Sequence, residues 1–135
     1  MRKLYLDIDG VLLTTKGSKP SADSEEFIEF ITDNFDCYWL TTHCKGNKNT
    51  ALKYLGSYFS QPIINKLMQV KETNWDCLKT EAIDFSSNFV WLEDSPMEAE
   101  KRVLRENQVL ISLIIINLNN PDELKQIQRR LMNIK

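Results

Sequence analysis

The sequence is poor in the residues that break regular structure, with four glycines and four prolines in 135 residues. So few breakers leave little room for linkers or disorder and point to one globular domain over residues 1–135. A surplus of charge is missing too: 17 Lys and Arg stand against 19 Asp and Glu, a net charge of -2. That balance supplies no global attraction to nucleic acid or to a membrane, and leaves only local patches as contacts. Cysteine is scarce, and Cys37, Cys44 and Cys77 form neither a CxxC pair nor another metal-ligand spacing. An odd count fits poorly with a secreted disulfide framework, so reduced thiols are expected. Long apolar runs are absent as well. The longest, "VLISLIIINL" from Val109 to Leu118, falls well short of the roughly 20 residues of a membrane span and reads as a buried strand. No charged leader or long apolar segment precedes the first apolar run, which predicts a cytoplasmic protein.

What is present alternates. Leu4 to Ile8 reads as a buried strand closed by Gly10, and "SADSEEFIEFITDNF" from Ser21 as a helix with Phe27, Ile28, Phe30 and Ile31 on one face. Cys37 to Leu40 is a second strand, "NKNTALKYLGSYF" a helix ending near Gly56, and "QPIINKLM" a short third strand. "NWDCLKTEAIDF" reads as helix, "NFVWLED" as a fourth strand, and "SPMEAEKRVLRE" as a helix with Ser95 as N-cap and Pro96 in its first turn. "SLIIIN" is the fifth strand and "NNPDELKQIQRRLM" a last helix. Strands alternating with helices predict a three-layer α/β/α sandwich around a mostly parallel, Rossmann-like sheet of five strands.

Ligands of such open sheets lie beyond the carboxyl ends of the strands. Asp7 and Asp9 end the first strand, Thr41, Thr42 and His43 the second, and Glu93 and Asp94 the fourth. Asp7 and Asp9 point the same way only if the chain stays extended through Ile8, and two adjacent carboxylates need a cation or a retained proton. Asp7, Asp9 and Asp94 are hard oxygen ligands of the kind Mg2+ prefers. A Thr hydroxyl and a Lys ammonium, Lys79 or Lys71, can hold a phosphate.

"DIDGV", "WLTT", a lysine and "WLEDSP", in this order on alternating elements, resemble the four motifs of the haloacid dehalogenase (HAD) superfamily across nearly the whole chain. The resemblance implies an aspartyl-phosphate mechanism. Asp7 would be the nucleophile and Asp9 the acid and base, with Thr41 and Lys79 on the phosphoryl oxygens and Thr42 beside them. Asp7, Asp94 and the Asp9 backbone carbonyl would hold Mg2+. A second Asp two residues after the first resembles the phosphatases of the superfamily. Lys79 is preferred to Lys71 because it resembles a lysine that begins the helix before strand four in small HAD-like proteins. Glu93 departs from the Gly-Asp or Asp-Asp of many relatives and is expected beside the metal or sharing it.

No cap domain fits between Asp9 and Thr41 or between Thr42 and Lys79, so the site is expected to be open. Capless members resemble enzymes acting on large substrates, such as phosphoproteins or nucleic-acid ends. "LLTTKGSKPSA" is the flap candidate, with Lys16 and Lys19 facing substrate or solvent. A calcium loop is disfavoured because "VLLTTKG" lacks alternate oxygen ligands. His43, the sole histidine, is read as a local structural residue or substrate contact, and Trp39 and Trp91 as core. A non-catalytic HAD-like binding domain is the competing function. Substrate identity and oligomeric state are not encoded in these motifs.

Overall fold

The computed structural model describes residues 1–135. Four strands, β1 (Lys3–Leu6), β2 (Asp36–Trp39), β3 (Phe89–Glu93) and β4 (Leu113–Ile115), form one parallel sheet in the order β2-β1-β3-β4. Five helices connect and cover it: α1 (Ser24–Asn34), α2 (Lys48–Leu55), α3 (Gln61–Leu67), α4 (Glu98–Glu106) and α5 (Glu123–Met132). The chain is thus α/β, as its alternation of patterns predicts. None of its helices is long and apolar enough to cross a membrane.

Both faces of the sheet are buried, which is why the central strands read as apolar runs rather than alternating ones. Leu4, Leu6, Trp39, Val90, Leu92 and Ile114 pack into the larger core with Phe27, Ile28 and Ile31 of α1 and Leu124, Ile127 and Leu131 of α5. On the opposite face Tyr5, Phe89 and Trp91 pack with Leu104 of α4 and with Ile83. Trp39 and Trp91 are fully buried, so both tryptophans are core residues.

Four expectations are corrected here. "QPIINKLM" is helix α3, with Pro62 in its first turn and Ile63 and Leu67 buried, so the sheet has four strands and not five. Ile63 and Leu67 lie four apart, the spacing of one helical face, and a proline that cannot donate suits a first turn. "NWDCLKTEAIDF" shrinks to a single 3-10 turn at Lys79–Ala82. Glu81 accepts from the N–H groups of Asp76, Cys77 and Leu78 and so holds the preceding backbone outside any helix. Helix α4 starts at Glu98 after Met97, not after Ser95, because the N–H groups of Asp94 and Ser95 are drawn to the Glu93 carboxylate. Within "VLISLIIINL" only Leu113–Ile115 is strand, and Ile111 is 87% exposed ahead of this edge strand.

Candidate active site

The two central strands bring the first and last acidic motifs together. β1 pairs with β3 from Lys3–Phe89 to Leu6–Leu92, and the Asp7 N–H donates to the Leu92 carbonyl at 3.2 Å, so Asp7 and Glu93–Asp94 leave the sheet side by side. Asp7, Glu93 and Asp94 each offer a carboxylate oxygen, all within 4.8 Å of one another. The sequence makes this approach possible at Gly10, whose φ of 81° suits glycine and whose missing side chain leaves the space that the Asp94 carboxylate fills.

Lys79 is the cation of the cluster. Its ammonium donates to Asp7 Oδ2 at 3.0 Å and to Glu93 Oε1 at 2.6 Å. Its position is set from α4: buried Glu100 accepts from the N–H of Lys79 and from that of Met97, each at 2.8 Å. Lys71 instead lies beside Tyr38 of β2 and turns its ammonium to Asp36 at the start of that strand, away from the end where Asp7 lies.

One ammonium faces several carboxylates, and the energetics follow. Burial foremost, and then the neighbouring Asp7 charge, push Glu93 up to about 9. Burial alone would lower the Lys79 ammonium, but the Asp7 and Glu93 charges outweigh it and hold it above the ordinary lysine range. The other Asp7 oxygen, Oδ1, accepts from the Ile8 N–H at 2.7 Å. Both Asp7 oxygens are therefore oriented by donors.

Asp9 departs from the simplest expectation. β1 ends at Leu6, and the Ile8 carbonyl accepts from the N–H groups of Val11, Leu12 and Leu13, so the chain turns instead of staying extended. Asp9 consequently has different partners from Asp7: His43 Nε2 lies 2.8 Å from Oδ2, and the Tyr54 hydroxyl donates to Oδ1 at 3.2 Å. The His43 and Tyr54 rings stack at 4.0 Å and 12°. Burial, and next the Asp9 charge, raise the Tyr54 phenol, which keeps its proton available to donate.

Thr41 is fully buried after β2, where its Oγ1 accepts from the His43 N–H at 3.3 Å. Thr42 is exposed in the same turn. The flap closes on itself through Thr14 N–H to Lys19 carbonyl at 2.7 Å, with Val11, Leu12 and Leu13 buried beneath it. Between the flap and the segment after β4 lies a cleft of about 510 Å3 lined by Gly10, Thr14, Lys16, Asp94, Asn117 and Asn119 among others.

Sequence reasoning missed Tyr54 and Glu100. Glu100 carries a detectable signal, an acidic residue three positions after the chain enters α4, whereas Tyr54 in the α2 pattern carries none. His43 was placed near the site without its partner.

The fold and site together define an α/β chain with an acidic, lysine-bridged cluster at the carboxyl ends of adjacent parallel strands, a donor set that can hold a metal ion. Comparison with family models, with curated proteins and with solved structures finds no match.

Proposed function

We propose that this chain is an Mg2+-dependent phosphatase of the HAD type that hydrolyses a phosphomonoester through an aspartyl-phosphate. The observation that carries the reading is the convergence of Asp7, Asp94 and Lys79 at the ends of β1 and β3, in the chain order that the motifs lead one to expect. The donors suit Mg2+. They are all carboxylate oxygens, and only one ammonium, that of Lys79, stands among them. Asp7, Asp94 and the Asp9 backbone carbonyl would hold the ion, with Glu93 adjacent. Mg2+ supplies positive charge that lets an anionic phosphate approach an anionic carboxylate.

The chain's own residues account for the remaining steps. Asp7, held by the Ile8 N–H and by Lys79, presents a carboxylate oxygen to phosphorus. As that oxygen bonds to phosphorus, the ester oxygen departs with a proton from Asp9. Water then attacks the phosphorus of the aspartyl-phosphate, gives its proton to Asp9 and releases inorganic phosphate and free Asp7. Lys79 moves from Glu93 to the phosphoryl oxygens, and the Thr41 hydroxyl and Thr42 complete that donor set. The open cleft beside Asp94 is consistent with a site that lacks a cap, where a large phosphorylated substrate, a phosphoprotein or nucleic-acid end, would dock.

A second reading, a non-catalytic binding domain of the same fold, draws on Glu93, whose carboxylate competes with substrate for Lys79. Turnover separates the two. Purified chain is assayed with Mg2+ or EDTA on p-nitrophenyl phosphate, then on phosphopeptides, nucleotides, sugar phosphates and 3'- or 5'-phosphorylated oligonucleotides. Metal-dependent phosphate release that vanishes in Asp7→Asn supports the phosphatase. No release from any ester, or release unchanged in Asp7→Asn, refutes it.

A further inference from the structure

We infer that His43 and Tyr54 are positioning residues that aim the Asp9 carboxyl at the leaving group; this rests on the phosphatase reading. Asp9 sits on a turn, its side chain 44% exposed, where a short carboxylate would otherwise sample several rotamers. Two side chains from a distant part of the chain restrict it. His43, in the turn that follows β2, meets one oxygen at 2.8 Å, and Tyr54, on α2, donates to the other at 3.2 Å.

The two clamps also support each other. Their rings lie face to face at 4.0 Å, and Tyr58 packs edge-on against Tyr54 at 5.7 Å. α2 is itself anchored at its start, where the Asn47 side chain accepts from the Asn49 N–H. The Asp9 side chain is thereby tied to a helix through an aromatic pair. A carboxylate has about four acceptor positions, and two are used, so Asp9 retains an unclamped lone pair that can face a leaving oxygen. The His43 and Tyr54 side chains bond to Asp9 and not to Asp7, Lys79 or Asp94, so losing either side-chain bond bears on proton delivery before attack.

That separation defines the test. Proton delivery matters most for the poorest leaving groups, so loss of aim steepens the dependence of rate on leaving-group acidity. The chain is assayed with Mg2+ on a series of para-substituted phenyl phosphates from nitro to methoxy, and kcat/KM is plotted against leaving-group pKa. His43→Phe keeps the stacked ring and removes the hydrogen bond; His43→Gln restores an N–H of similar reach. His43→Phe should lose about tenfold more on the methoxy than on the nitro ester, Asp9→Asn should steepen the plot further, and His43→Gln should recover much of the loss. Tyr54→Phe, which also keeps its ring, should steepen the plot in the same sense. An equal fall of His43→Phe on all esters, or no fall, overturns the inference while leaving the phosphatase in place. A wild-type chain inert on the whole series overturns the phosphatase reading and this inference with it.

Discussion

Gly10 tests the geometry of the site without any assumption about its chemistry. Its φ of 81° lies in the left-handed region, where an alanine costs about 1–2 kcal/mol. A Cβ there would also overlap the Asp94 carboxylate and come within 2.7 Å of the Asp94 Cβ. Relieving such an overlap in a packed site costs about 1–3 kcal/mol more, so Gly10→Ala should lose about 2–5 kcal/mol in all. Gly17 is the internal control. Its φ is 85°, but a Cβ there meets only the flexible end of Lys19 at 3.9 Å, so Gly17→Ala should lose only the conformational part. The assay is urea unfolding followed by tryptophan fluorescence, since Trp39 and Trp91 are buried in the two cores. A cycle with Asp94→Gly isolates the contact: in that background Gly10→Ala should fall to the Gly17→Ala value. Equal costs for Gly10→Ala with and without the Asp94 side chain would show that the two residues do not meet, and the site as described would be wrong.

Two further outcomes follow from burial and charge. Because Glu93 is held up to about 9, the native state binds more protons than the unfolded chain between the ordinary carboxylate range and that value. Stability in EDTA should therefore fall as pH rises through that window, by at most about 1.4 kcal/mol per pH unit; Glu93→Gln should flatten the slope, and a wild-type profile that rises with pH would contradict the cluster's charge balance. Among the thiols, Cys77 is exposed, whereas burial raises Cys44 and pushes Cys37 up to about 12. A thiol-reactive chromophore should label one cysteine quickly in the native chain and the other two only on unfolding; rapid labelling of all three would show that the core opens readily.

The α/β alternation was legible because strand and helix bury different periods of apolar residues. Asp7 and Asp94 were legible as neighbours because parallel strands of one sheet end at a common edge. "QPIINKLM" misled because a short apolar run fits either a strand or one helical face. The choice fell to Pro62 and to the burial of Ile63 and Leu67 beneath α3. Glu93 was recognised as a departure, but its raised pKa depends on depth of burial, which no motif states.

The order of the acidic, hydroxyl and basic motifs, and the apolar runs that carry them, belonged to the sequence alone, since local period and chain order are properties of neighbouring residues. Only the tertiary structure separates the two lysines: the Lys79 ammonium meets Asp7 and Glu93 at the ends of β1 and β3, whereas the Lys71 ammonium pairs with Asp36 at the start of β2. It also separated Asp9 from Asp7, because the chain bends at Ile8 and enters a turn closed on the Ile8 carbonyl, which brings Asp9 to His43 and Tyr54. Those partners are far apart in sequence, and contacts of that kind are fixed by how the elements pack, not by the spacing of residues within any one of them.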